Sequence, residues 1–292
     1  MTGSTRPTLN GGFEFVTVEP GVDLAVRRSG QGPPVLLIGG LGMPSITWDV
    51  CGLPQSLADA GFEVIAYNAR GIAPSSAPAP PYSVADLGRD AAAVLDHFDV
   101  GEAIVVGYSM GCYTAQTLYR EQPARVRALV LFAGLQPSPI SEIVGEMELG
   151  LIDRYGAVPR DVLVLEQLLT SLHPSMLQDP ATVRAWHQVL SAGYDNEPAP
   201  QQGFIGQLTA SQQWIAAGEP TAAQLTTIDV PTLVLAFEYD LFFPPTSCET
   251  TARFIPNAEF AQIDGAGHGG IFTGPGDSVD RITQFCRKHR AP

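Results

Sequence analysis

Short, near-continuous apolar runs recur along the chain at Pro34–Ile38, Glu63–Tyr67, Ala103–Val106, Ala128–Phe132 and Thr232–Ala236. Each has the length of a strand and none alternates apolar with polar residues, the pattern of a strand buried on both faces of a parallel sheet. Ile46–Ala60, Ser83–Phe98, Met110–Gln122 and Asp277–His289 carry apolar residues at three- and four-residue spacing and predict helices. Phe13–Val18 and Val22–Val26 do alternate, with Pro20-Gly21 between them, and predict an antiparallel hairpin at a sheet edge. A last strand is expected near Glu259–Ile263. Alternation of this kind predicts an α/β chain with a mostly parallel, doubly wound sheet.

One stretch breaks the alternation. From about Pro137 to Ala223 the pattern is helical throughout, with apolar residues such as Ile143, Met147, Leu151, Val162, Leu168, Trp186, Leu190 and Trp214, and a turn-rich break at Glu197–Pro200. We expect residues 1–136 and 224–292 to form the core and residues 137–223 a helical lid inserted in it, roofing an apolar pocket.

The segment Val105-Val-Gly-Tyr-Ser-Met-Gly111 is G-x-S-x-G placed directly after an apolar strand and directly before a helix. In that setting a sharp turn projects a serine hydroxyl above the sheet edge, so Ser109 is the candidate nucleophile. A serine hydroxyl needs a base, and the base an orienting partner. The strand Thr232–Ala236 runs into an acidic loop holding Glu238 and Asp240, and Ala266-Gly-His268-Gly-Gly270 follows the last strand. Both loops belong to the carboxyl rim where open α/β sheets bind ligands. Of the other histidines, His97 falls in a helical pattern, His173 and His187 in the lid, and His289 in the charged C-terminal segment. His268 is therefore the candidate base. The oxyanion should meet two backbone N–H groups, one of them from Met110.

From Phe13 onward the chain resembles the α/β-hydrolase fold superfamily, on the elbow Gly107–Gly111 and on the order Ser109, Asp240, His268. The resemblance places the acid at Asp240 rather than Glu238 and the second oxyanion donor at Leu41, in the loop Ile38-Gly-Gly-Leu-Gly-Met43. Two departures stand out. Relatives often have His-Gly where this chain has Gly39-Gly40, and often Asp-x-Arg-Gly-x-Gly-x-Ser where it has Asn68-Ala-Arg-Gly-Ile-Ala-Pro-Ser75. Asn68 and Arg70 are read as structural. Gly40, Trp48, Tyr108 and Phe242 are candidate pocket-lining residues, with packing of the core or lid as the competing role.

Composition narrows the partners. A formal charge of −14 opposes binding to a phosphate backbone or an anionic lipid surface. No apolar run approaches the roughly 18 residues of a membrane span, and Met1–Gly12 lacks a signal-peptide pattern, so a cytoplasmic protein is expected. Cys51, Cys112, Cys248 and Cys286 show neither a CxxC pair nor Cys/His metal spacing, and are read as free thiols. The expectation is a serine hydrolase, a carboxylic-ester hydrolase of class EC 3.1, with no metal and no cofactor. It would act on a small-molecule ester, lactone or thioester through an acyl-enzyme. A homodimer is among the assemblies the sequence allows. The same serine, acid and histidine set in relatives also serves carbon–carbon hydrolysis, removal of N-terminal proline, acyl transfer or cyclisation, and cofactor-free haloperoxidation. A ligand-binding protein without catalysis is the alternative of another class.

Overall fold

A computed structural model describes residues 12–196, 201–274 and 277–290. The break at Glu197–Pro200 and residues 1–11 of the N-terminal segment lie outside the described residues. Eight strands form one sheet: β1 (Glu14–Glu19), β2 (Val22–Gly30), β3 (Pro34–Ile38), β4 (Glu63–Tyr67), β5 (Ala103–Tyr108), β6 (Val126–Phe132), β7 (Thr232–Phe237) and β8 (Ala258–Ile263), in the order β1-β2-β4-β3-β5-β6-β7-β8. The β1–β2 hairpin is antiparallel and β2 joins β4 antiparallel, while every pair from β4 through β8 is parallel.

The two-residue period of the strands divides the core in two. Leu36, Ile65, Val105, Leu129, Leu131 and Val234 face one apolar cluster. Their strand neighbours Leu37, Val64, Val106, Val130 and Leu235 face the other. Helices α1 (Thr47–Cys51) and α2 (Leu53–Asp59) pack into the second cluster through Trp48, Leu53 and Leu57. Helices α3 (Val84–His97) and α4 (Gly111–Glu121) pack into the first through Leu87, Leu95, Tyr113 and Leu118. Covering both faces is what continuous apolar strands require, and all six residues of β5 and of β7 are buried.

Between β6 and β7 the described chain is helical: α5 (Pro139–Tyr155), α6 (Arg160–Ser171), α7 (Pro174–Leu177), α8 (Pro180–Asn196), α9 (Gln201–Ala216) and α10 (Ala222–Leu225). Ser138 caps α5 by accepting from the Ile140 N–H, and Gly156 ends it in the left-handed region at φ 81°. Helices α6 and α8 share a small apolar cluster of Val164, Leu168 and Leu172 with Trp186 and Leu190. Helix α9 instead joins the main core, where Trp214 stacks on Tyr113 with ring centroids 5.0 Å apart.

The chain closes with α11 (Pro245–Ala252), α12 (Gly270–Thr273) and α13 (Asp277–Lys288). One expectation needs correction, and one helix was not foreseen. The helix expected over Ile46–Ala60 is two helices, because Gly52 at φ 74° ends α1 and Pro54 starts α2. Helix α11 carries too many Thr, Ser and Cys residues to announce itself by apolar spacing. No helix among the described residues is long and apolar enough to cross a membrane.

Candidate active site

Strand β5 delivers Ser109 to a sharp turn. The Ser109 N–H donates to the Phe132 carbonyl at 3.0 Å, one step beyond the β5–β6 ladder, and the chain then reverses into α4. Ser109 adopts φ 53°, a left-handed conformation that costs a non-glycine residue about 1–3 kcal/mol. Close backbone approach makes the turn possible. A Cβ added at Gly107 would lie 2.5 Å from the Gly111 carbonyl oxygen, and one at Gly134 would lie 2.3 Å from the Ser109 carbonyl oxygen.

The other two groups arrive from the ends of β7 and β8, two and three strands along the sheet from β5. The His268 Nε2 lies 3.0 Å from the Ser109 Oγ, and its Nδ1 lies 2.8 Å from the Asp240 Oδ2. An ionised carboxylate only accepts, so Nδ1 carries the proton and Nε2 is left to accept from Ser109. The free oxygen of Asp240, Oδ1, accepts the N–H groups of Phe242 and Phe243, each at 2.9 Å. The Asp240 side chain is fully buried and aimed by this turn. Glu238 does not compete, because its Oε2 accepts the Gly265 N–H at 2.8 Å. The imidazole lies between two near-parallel rings, Tyr108 at 5.5 Å and Phe243 at 5.6 Å, with Phe242 edge-on at 5.1 Å. The Tyr108 hydroxyl donates to the His268 carbonyl at 2.8 Å.

The loop carrying Leu41 touches Ser109: a Cβ added at Gly40 would lie 3.1 Å from the Ser109 Cβ. Among the described residues, neither the Leu41 nor the Met110 N–H has a protein acceptor. Two backbone donors beside one serine can receive an oxyanion. Gln207 of α9 braces the loop. Its Oε1 accepts the Gly42 N–H and its Nε2 donates to the Arg70 carbonyl, both at 2.8 Å. The substituted floor is also satisfied: the Asn68 Oδ1 accepts the Ser45 N–H at 2.7 Å, and Arg70 pairs with Asp90 at 2.6 Å and with Glu19 at 3.0 Å.

Trp48 contributes no exposed surface to a pocket. It is fully buried in the α1–α2 side of the core, edge-on to Tyr108 at 6.1 Å, because its position on α1 points it into the sheet. Gly40, Tyr108 and Phe242 do adjoin Ser109 or His268. Sequence reasoning missed Gln207, Phe243 and Thr170, whose carbonyl accepts the His268 N–H at 2.9 Å. No group of three or more His, Cys, Asp or Glu residues among the described ones is arranged to hold a metal ion.

Comparison with known proteins shows the family. The family model described as the alpha/beta hydrolase fold matches residues 33–275. A protein of Mycobacterium tuberculosis provisionally named as the non-heme bromoperoxidase BpoC is 29% identical over 255 residues, 87% of this chain and 94% of that one. A Variovorax paradoxus protein provisionally named as the carbamate hydrolase RutD is 30% identical over 91% of this chain and 96% of its own. Among solved structures, Rv0554 from M. tuberculosis superposes with a TM-score of 0.83 at 27% identity, covering 96% of this chain and 100% of that one.

Proposed function

The chain belongs to the α/β-hydrolase fold family, and from that premise we propose that it is a serine hydrolase cleaving an ester, lactone or thioester of a small to medium apolar substrate. The observation that carries the reading is the relay from the Asp240 Oδ2 through His268 to the Ser109 Oγ, with links of 2.8 and 3.0 Å. In the proposed cycle the Ser109 Oγ attacks the substrate carbonyl while the His268 Nε2 takes its proton. Asp240 holds the tautomer and stabilises the imidazolium. The Leu41 and Met110 N–H groups receive the oxyanion, each contributing about 3 kcal/mol to the transition state. His268 then protonates the leaving group, activates water against the acyl-enzyme, and returns the proton to Ser109. The helical segment between β6 and β7 acts as the lid, with the apolar side chains of α6 and α9 setting acyl-chain preference.

The relatives' names span a haloperoxidase, carbamate hydrolases and a poly(3-hydroxyalkanoate) depolymerase, so the acyl group is the open variable. Turnover of p-nitrophenyl esters of graded chain length, a lactone and an acyl thioester, beside Ser109→Ala and His268→Ala, tests the reading. Hydrolysis lost in both variants supports it. Wild-type turnover in Ser109→Ala would rule out the covalent route.

A further inference from the structure

His268 stands between glycines, in the run Gly267-His268-Gly269-Gly270. Glycine restrains the backbone weakly, so this loop takes its place from what packs against it. Two hydrogen bonds pin the His268 main chain from different elements. Its carbonyl accepts the Tyr108 hydroxyl at 2.8 Å, from the strand end that carries Ser109. Its N–H donates to the Thr170 carbonyl at 2.9 Å, at the C-terminal turn of α6.

The contact with α6 is broad. The last carbonyls of a helix have no partner inside it. Here the His268 N–H takes that of Thr170, and the Thr273 hydroxyl donates to that of Ser171 at 3.2 Å. A Cβ added at Gly267 would lie 3.0 Å from the carbonyl oxygens of Thr170, Ser171 and Leu172. One added at Gly269 would lie 2.6 Å from the Ser171 Cβ. Just beyond, the His173 ring meets Tyr239 edge-on at 4.5 Å, and the Tyr239 N–H donates to the Ala266 carbonyl at 2.9 Å. Helix α6 is itself backed by α8, through Leu168 and Leu172 with Trp186 and Leu190. The segment between β6 and β7 therefore bears on both loops that carry His268 and Asp240, with the Ser171 side chain set against Gly269.

We propose that Ser171 is a positioning residue for His268: its small side chain sets how closely α6 seats on the loop, and so where the imidazole stands relative to Ser109. The consequence for catalysis rests on the serine-hydrolase reading of Ser109. With α6 seated, the His268 Nε2 lies 3.0 Å from the Ser109 Oγ. A bulkier side chain in place of Ser171 overpacks the contact with Gly269, loosens the bond to Thr170 and moves the imidazole off its partner. Misplacing a catalytic group by about 1 Å can cost about a hundredfold in rate.

Ser171→Leu and the conservative Ser171→Ala, compared with the wild type on two readouts, test this. One is the rate at which a fluorophosphonate labels Ser109. The other is the NMR shifts of the His268 ring, assigned by their loss in His268→Ala. That ring lies between those of Tyr108 and Phe243, so its shifts report its own displacement. Ser171→Leu should be labelled at least about tenfold more slowly and should move the ring signals, whereas Ser171→Ala should stay within about twofold and leave them in place. A merely structural role would lower Tm and leave both readouts of the folded protein unchanged. If Ser171→Leu does not unfold cooperatively, Thr273→Val, which removes the donor to the Ser171 carbonyl, carries the test with a severalfold slowing expected. Ring signals that stay in place in the folded variant would overturn the assignment, as would labelling at the wild-type rate or an equal loss in Ser171→Ala and Ser171→Leu. Ring signals that move in Ser171→Leu, when the wild type itself takes no label, would support the positioning contact and count against the serine-hydrolase reading alone.

Discussion

The Gln207 side chain spans two loops, accepting the Gly42 N–H and donating to the Arg70 carbonyl at 2.8 Å each, from a position 1% exposed. A helix from the segment between β6 and β7 therefore fixes the backbone beside Ser109. Gln207→Leu removes both bonds and should lower kcat about tenfold with little change in KM, because misplaced oxyanion donors weaken the transition state selectively. Gln207→Glu keeps the acceptor for Gly42 and should recover part of the loss. Steady-state kinetics on a p-nitrophenyl ester, with Tm in parallel, check this. A fall in Tm at unchanged kcat would make Gln207 structural only.

Tyr108 supports His268 from behind. Its hydroxyl donates to the His268 carbonyl at 2.8 Å while its ring stacks on the imidazole. Tyr108→Phe keeps the stack and frees the loop carbonyl, at a stability cost of about 1 kcal/mol. The expected result is a severalfold drop in kcat with labelling of Ser109 retained. Unchanged kcat would show that Thr170 and the ring stack hold the loop unaided.

Glu148 links stability to pH. Its carboxyl rises from an ordinary 4.5 to about 8 in the folded protein, chiefly because it is buried. Below pH 4.5 both folded and unfolded chains hold the proton and the group contributes nothing. As the pH climbs from 4.5 towards 8, only the unfolded chain releases it, so stability falls by about 1.4 kcal/mol per pH unit at most. Above that range the penalty is complete. Glu148→Gln should therefore raise Tm more at pH 8 than at pH 5, and thermal melts at the two values measure the difference. A gain independent of pH would contradict it.

Gly134 packs against the elbow, where an added Cβ would lie 2.3 Å from the Ser109 carbonyl oxygen and 2.5 Å from the Cys112 Sγ. Gly134→Ala should cost about 1–3 kcal/mol in urea unfolding and reduce turnover, since relief requires moving the Ser109 backbone. Wild-type stability would mean that the turn has slack the geometry does not reveal.

The sheet was legible because burial on both faces leaves a strong local mark: β3, β4, β5, β6 and β7 each fall on an apolar run read from the chain. Asp240, His268 and Ser109 were legible because each sits in a loop after a strand end, and the fold brings those ends together. Gln207 left no such mark. It lies 165 residues from Gly42, and a glutamine on a helix has no local property that names its acceptor. Trp48 misled for the same reason, since an aromatic ring near a site loop reads alike whether it faces a pocket or the core. The break between α1 and α2 was written in Gly52 and Pro54, but continuous apolar spacing on either side of them outweighed that signal.

The central claim is that Ser109 is a nucleophile activated by His268. Intact and peptide mass spectrometry after treatment with a fluorophosphonate probe tests it without knowledge of the substrate. The account predicts one adduct, on the peptide containing Ser109, lost in Ser109→Ala and much slowed in His268→Ala. No adduct on the folded wild type, or an adduct that survives Ser109→Ala, would contradict it.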